Sequence, residues 1–224
     1  MILYRDRLEA GRILATKLTA YADRKDVVVL ALPRGGVPVA FEVAKALQAP
    51  LDVFVVRKLG VPGHEELAMG AIATGGMYIV NEHVVHMLAI PDSVIEEVAE
   101  REQKELERRE QLYRDDLPPP DVRDRTIILV DDGLATGSTM RAAVAALRKQ
   151  HPAHIVVAVP VAAPVVRDEF KAEVDEIVCA STPEPFFGVG YWYEDFSQTS
   201  DEEVHDLLAL SEQERPLQRV SNQS

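Results

Sequence analysis

The stretch ILVDDGLATGSTM, residues 128–140, concentrates the chemistry of this 224-residue chain. A continuous apolar run delivers two adjacent carboxylates, Asp131 and Asp132, followed by small residues and then a helix-forming segment. Backbone amides at a helix N-terminus have no intrahelical acceptors, so with the hydroxyls of Thr136, Ser138 and Thr139 they would form an anion cradle. Gly133 and Gly137 permit tight turns and close approach of a ligand. No lysine follows Gly137, which excludes a nucleotide P-loop. Neighbouring carboxylates repel unless something bridges them, and vicinal hydroxyls or a magnesium ion held by Asp131 and Asp132 are the obvious candidates. Asp-Asp-Gly alone is a common turn after a strand; the whole string is hard to read that way.

Three further segments carry candidate residues. VVVLAL (27–32) runs into PRGG, where Arg34, Gly35 and Gly36 form either an anion-gripping turn or a plain strand-to-helix turn. LDVFVV (51–56) runs into Arg57 and Lys58, then a loop over 57–69 that contains His64, Glu65 and Glu66. The two cations are either ligand contacts or solvated charges at a strand end. TPEPFFGVGYWYEDF (182–196) offers Phe187, Val189, Trp192 and Tyr193, aromatic-rich enough to line a pocket or simply to pack a core.

These residues need a frame, and the apolar pattern supplies one. β-Branched runs predict buried strands at 27–32, 51–56, 126–130, 154–161 and 176–181. Helical spacing appears over 5–22, 37–48 and 138–150, with a last helix near 200–210, and a hairpin is expected around Gly75-Gly76. Strand–helix alternation implies an α/β fold with a central, mostly parallel sheet flanked by helices, where ligands bind at the carboxyl ends of strands. Residues 92–116 are different: Asp92 or Ser93 caps a helix with Glu97→Arg101, Glu100→Lys104, Glu105→Arg109 and Glu110→Arg114 at i,i+4. Its stripe of Ile95, Val98, Leu106 and Leu112 is sparse, which predicts a solvated helix.

The string VDDGLATGSTM resembles the phosphoribosyl pyrophosphate (PRPP) motif of type I phosphoribosyltransferases, most of all the adenine enzymes. The resemblance implies that Asp131 and Asp132 meet the ribose hydroxyls and that Ala135, Thr136, Gly137, Ser138 and Thr139 hold the 5′-phosphate. ALPRGGVPVA (31–40) resembles the pyrophosphate loop of xanthine-guanine enzymes, implying diphosphate contacts from Arg34 and the Gly35 and Gly36 amides and a cis peptide near Arg34–Gly35. VRKLGVPG (56–63) resembles the start of the flexible catalytic loop, with Arg57 as a PRPP contact and Lys58 at the leaving group. Residues 182–200 resemble the hood of hypoxanthine-guanine enzymes, with Phe187 stacking on the base and Val189, Trp192 and Tyr193 beside it. The matches run through residues 27–200 in the family's order. They imply one domain over 1–210, with a helical insertion at about 81–117 and a disordered tail from 211 to 224.

The differences shape the expected reaction. Ala135 stands where hypoxanthine-guanine enzymes carry an Asp base, an Asp that adenine and orotate enzymes also lack, so acid/base work shifts to Glu65, Glu66 or His64. No lysine in VAVPVAAPV (157–165) can read a 6-oxo group. The resemblance implies Mg²⁺-dependent transfer of 5-phosphoribosyl from PRPP to a ring nitrogen of a nucleobase or related heterocycle, with pyrophosphate leaving, as in nucleotide salvage. A non-catalytic PRPP sensor on the same fold is the alternative, and transfer to an amine a third reading.

Composition narrows the partners. Net charge is −13 and the pI about 4.9, which argues against nucleic acid or anionic membrane as a primary partner. Residues 27–64 nevertheless hold four Lys/Arg against two acids, a local site for an anion. Cys179 is alone, so no intramolecular disulfide forms, and no signal-peptide pattern opens the chain; a cytoplasmic location is expected. A homodimer bringing Arg108 or Arg109 to a neighbouring site is a further expectation.

Overall fold

The computed structural model describes residues 2–115 and 117–214, apart from the Glu66 side chain. The elements, in order, are α1 (Arg7–Ala15), β1 (Val27–Ala31), α2 (Gly36–Leu47), β2 (Leu51–Val53), β3 (Val56–Val61), β4 (His64–Ala73) and β5 (Met77–Val80). Then follow α3 (Glu82–Leu88), α4 (Asp92–Arg114), β6 (Thr126–Val130), α5 (Ser138–Arg148), β7 (His154–Val161), α6 (Pro164–Phe170), β8 (Glu176–Ser181) and α7 (Asp201–Glu214).

A five-stranded sheet in the order β2-β1-β6-β7-β8 is parallel throughout. Every residue of β1 and β6 is buried, as expected of strands covered on both faces. Alternate side chains serve two cores. Val27, Val29, Ile128 and Val130 face the side of α1 and α2, while Val28, Leu30, Ile127 and Leu129 face the side of α5 and α6. Chain order reverses direction at one place: β1 leads outward to β2, β6 leads the other way to β7, and the two strands are neighbours. That is the switch point, where two strand exits diverge and leave a crevice.

The segment expected as a catalytic loop over 57–69 is instead an antiparallel hairpin, β3–β4, turning at Pro62-Gly63 and extended by β5 into a three-stranded sheet. The physical reason is an alternation masked by Gly, Pro and charge: Leu59, Val61, Met69 and Ile72 are buried. The turn expected at Gly75-Gly76 does join β4 to β5, with both glycines at positive φ.

Four other boundaries differ. The strand expected over 51–56 ends at Val53, and residues 19–21 of the first helical stretch form a separate 3-10 turn. Pro164 opens α6 soon after the strand expected over 154–161, because proline at N1 forfeits no helical hydrogen bond. α7 continues to Glu214 with Ser211 buried, so 211–214 are helical; the rest of the expected tail, 215–224, lies outside the described residues.

α4 is not a solvated helix. Ile95, Val98 and Leu106 are buried against β3, β4 and α7, while Leu112 is exposed and Tyr113 and Arg114 are buried instead. Pro91, rather than Asp92 or Ser93, occupies the N-cap. Glu105–Arg109 and Glu110–Arg114 form as expected, whereas Arg101 meets Glu102.

Candidate active site

The exits of β1 and β6 lie side by side because the strands pair in register, Ala31 opposite Val130. The Leu32 amide donates to the Val130 carbonyl at 2.9 Å, stitching the start of one loop to the end of the other strand. PRGG then turns directly over the carboxylate pair. A Cβ on Gly35 would stand 2.1 Å from Asp132 Oδ2, and one on Gly36 would stand 2.7 Å from the Val130 carbonyl. The chain therefore needs glycine here for proximity to the acids; Gly35 itself sits at φ −61°, which any residue adopts. The cis peptide lies between Pro33 and Arg34, one residue before the expected bond. Gly35→Ala is expected to cost about 1–3 kcal/mol of stability, since the overlapped carboxylate is itself held in place. Chemical denaturation measures this, and an unchanged midpoint would contradict the contact.

Asp131 and Asp132 sit at the floor of the crevice. The Asp132 amide donates to Asp131 Oδ1 at 2.8 Å. Burial, followed by the charge of Asp132, pushes the Asp131 carboxyl well above the usual carboxylate range. Burial also raises Asp132, while the Arg7 guanidinium 2.9 Å away pulls it back. Two crowded carboxylates of this kind favour a cation or a pair of hydroxyl donors between them.

Beyond them the chain builds the cradle. Gly137 takes a positive φ of 71° at the N-cap of α5, where no side chain caps the helix. A Cβ there would also meet the Phe170 ring at 2.5 Å. Apart from the Ser138 amide, which points to Thr136 Oγ1 at 3.5 Å, the first-turn amides are thus left for a ligand. Ala135, Thr136, Ser138 and Thr139 are all exposed around them. The Thr136 and Ser138 hydroxyls lie 3.3 Å apart. Arg141 braces the loop, donating to the Thr136 carbonyl at 2.8 Å while paired with Glu169 and Glu173.

The expected diphosphate cations are arranged differently from one another. Arg34 lies in the PRGG turn with Nη1 3.7 Å from Asp201, which also accepts from the Tyr113 hydroxyl at 2.5 Å. Strand alternation puts Arg57 on the face that α4 covers, where it binds Glu102 at 2.6 Å. Lys58, one residue on, belongs to the opposite face and is exposed. Glu65 is exposed next to the β3–β4 turn, and hydrogen bonds from its own and the Gly63 amides hold its carboxyl below the usual range. Its conformation here favours a carboxylate. His64 is exposed beside it, and the Glu66 side chain lies outside the described residues. Arg108 and Arg109 both pair with Glu105.

Residues 182–200 fold back over the strand exits. Val189 packs on Gly133, and the Tyr193 hydroxyl donates to the Asp132 carbonyl at 2.6 Å. Trp192 and Tyr193 are buried in a small core with Tyr4, Ala10 and Val161. Phe187 is 66% exposed, its ring 5.0 Å from that of Tyr191. Of the aromatic candidates, Phe187 is thus the one free to meet a planar ligand.

Sequence reasoning missed Arg7, Glu102, Asp201 and Tyr113. Nothing local in the sequence distinguishes Arg7 from the other polar residues of an amphipathic helix.

A family model described as the phosphoribosyl transferase domain matches residues 4–195, nearly the whole described chain. The chain belongs to the phosphoribosyl transferase family. A Mycobacterium tuberculosis (strain H37Rv) protein named "Putative phosphoribosyl transferase Rv0571c" is 47% identical over 208 residues, covering 93% of this chain and 47% of that protein. The chain therefore spans about half the length of the curated relatives it matches. A uracil phosphoribosyltransferase of Lactobacillus gasseri is 34% identical over 103 residues, 45% of this chain and 48% of that one. Among solved structures, TT1426 from Thermus thermophilus is 40% identical, with a TM-score of 0.82 over 92% of this chain and 98% of that one. The expected fold is the observed one: a parallel sheet flanked by helices. No helix among the described residues is long and apolar enough to cross a membrane.

Proposed function

We propose that this phosphoribosyl transferase domain moves 5-phosphoribosyl from PRPP to a ring nitrogen of a nucleobase or related heterocycle, releasing pyrophosphate. One observation carries the reading: the Asp131–Asp132 pair lies between an uncapped helix N-terminus and the PRGG turn, at the switch point of the sheet. That spacing suits a sugar with a phosphate at one end and a diphosphate at the other.

In this reading the α5 amides and the Thr136, Ser138 and Thr139 hydroxyls hold the 5′-phosphate, and Asp131 and Asp132 accept from the ribose hydroxyls. The Gly35 and Gly36 amides and Arg34 take the diphosphate, with Lys58 at the leaving group. Their task is to orient C1 and to neutralise charge as the diphosphate departs. The acceptor heterocycle would stack on Phe187, and Glu65 in its carboxylate form would accept the proton that its attacking ring nitrogen sheds.

A magnesium ion fits the crowded carboxylates. Among the described residues no cluster of three or more His, Cys, Asp or Glu forms a protein cage for a metal. Such an ion would be held at Asp131 and Asp132, where it would supply charge neutralisation to the bound anion.

The sensor alternative draws on Arg57, which is turned onto Glu102. Pyrophosphate release from PRPP and Mg²⁺ with a panel of purines, pyrimidines and simple heterocycles separates the readings. Release with at least one acceptor is the expected result. PRPP binding with no release for any acceptor favours the sensor, and no PRPP binding defeats both.

A further inference from the structure

We propose that Arg7 is a positioning residue that locks Asp132, the Gly35 turn and the hood into one unit, so that PRPP bound at Asp132 is felt in the hood. The inference rests on the PRPP reading above and goes beyond it, because it names the element that joins the two substrate regions.

Arg7 is the first helical residue of α1, fixed there by Asp6, whose Oδ1 accepts from the Glu9 amide at 2.7 Å. Its guanidinium leaves the helix and meets three parts of the site. Nε donates to Asp132 Oδ2 at 2.9 Å, with both side chains largely buried. Nη1 donates to the Ser197 carbonyl at 2.6 Å, and the planar group lies 3.9 Å over the Phe196 ring. Nε would stand 3.2 Å from a Cβ on Gly35. A planar fork with fixed donors and a stackable face suits such a junction, and a lysine does not.

The geometry also sets what Asp132 can offer. With Oδ2 taken by Arg7, the direction of Oδ1 is fixed. From the other side the Tyr193 hydroxyl grips the Asp132 carbonyl. The Tyr193 and Phe196 rings are 5.1 Å apart, and the Glu194 and Asp195 amides donate to the Tyr4 and Arg5 carbonyls. The lead into α1 and the hood therefore form one body, with Asp132 plugged into it at two points. Movement of Asp132 onto a ribose would pull on the segment next to the acceptor side.

The sole tryptophan, Trp192, sits in that body and reports on it. PRPP with Mg²⁺ is titrated calorimetrically into wild type, Arg7→Gln, Asp132→Asn and the double variant, and Trp192 emission is recorded at saturation. Each single change is expected to weaken PRPP by roughly tenfold or more, as for loss of a charged hydrogen-bond partner. Adding Arg7→Gln to Asp132→Asn should cost less than about threefold more, because Arg7 acts through Asp132. Saturating PRPP should shift the emission of wild type and not of Arg7→Gln. Additive losses, or an emission shift that survives Arg7→Gln, overturn the inference while leaving PRPP binding intact. A wild type that binds no PRPP overturns the functional reading and this inference together. If Arg7→Gln melts below assay temperature, the same cycle with Arg7→Lys, which keeps the charge and loses the fork, must show the same non-additivity; additive loss there overturns it.

Discussion

Asp131→Asn is expected to raise the melting temperature and at the same time to remove PRPP-dependent turnover. The two effects have one cause. Asp131 is half-buried beside Asp132, and the desolvation of its carboxyl and that neighbouring charge together push it well above the usual range. A pKa raised by folding is free energy withdrawn from the folded state once the group ionises. Asparagine keeps the shape, still accepts the Asp132 amide through its carbonyl oxygen, and removes the repulsion. A gain on the order of 1 kcal/mol corresponds to roughly 2–4 °C for a chain of this size. The same change deletes the charged acceptor proposed for the ribose and half of the proposed magnesium site. Pyrophosphate release is then expected to fall about a hundredfold or more, as when a preorganised charged contact is lost. Melting in EDTA without PRPP isolates the first effect, and initial rates with PRPP isolate the second. A lower melting temperature would mean that the pair is a structural fixture, and undiminished turnover would remove Asp131 from the site.

How much of this was legible depends on the range of the interaction. Strands β1, β6 and β7 could be read because burial on both faces leaves an uninterrupted apolar run, and β8, an edge strand with only Val178 buried, was read from the shorter run Ile177–Val178–Cys179. Asp131, Asp132 and the cradle could be read because they are neighbours in sequence. The β3–β4 hairpin was obscured because charge at Arg57 and Lys58 and the glycines hide the alternation of Leu59, Val61 and Met69. Reading it as a loop also hid the face on which Arg57 falls, and so its partner Glu102. Arg7 was illegible for a different reason: its partner is 125 residues away, and no local pattern distinguishes it from a solvated arginine. The net charge of −13 also takes on a structural meaning. The acid-rich α4 and the N-terminus of α7 supply Glu102 and Asp201, which hold Arg57 and Arg34. Two of the 37 acidic residues thus stand directly against the local cations that the sequence singled out.

The same helix gives the largest stability effect expected outside the site. Arg114, near the C-terminus of α4, is 6% exposed, and its three guanidinium nitrogens are all engaged. Nε meets Asp52 Oδ1 at 2.7 Å, Nη1 meets Glu110 Oε1 at 3.0 Å, and Nη2 donates to the Val53 carbonyl. These contacts pin α4 to β2, the edge of the main sheet. Arg114→Met fills similar space yet leaves the half-buried Asp52 without its cation, which is expected to cost about 3 kcal/mol, the lower end for a charge stranded in a protein interior. The pH dependence follows from the direction of the Asp52 shift. Burial already raises Asp52 above its usual 3.8 despite the opposing pull of Arg114. A carboxyl with a raised folded-state pKa binds its proton more tightly when folded, so its contribution is favourable at low pH and is lost as pH rises through the folded value. Removing Arg114 moves that value further up and widens the window. The deficit of Arg114→Met should therefore be larger at pH 7.5 than at pH 4.5, and Asp52→Asn in the same background should recover part of it at pH 7.5. Urea denaturation at both pH values measures this. A loss below about 1 kcal/mol would show that the pair is as weak as an exposed ion pair, and a deficit equal at both pH values would show that Asp52 is not the group left stranded.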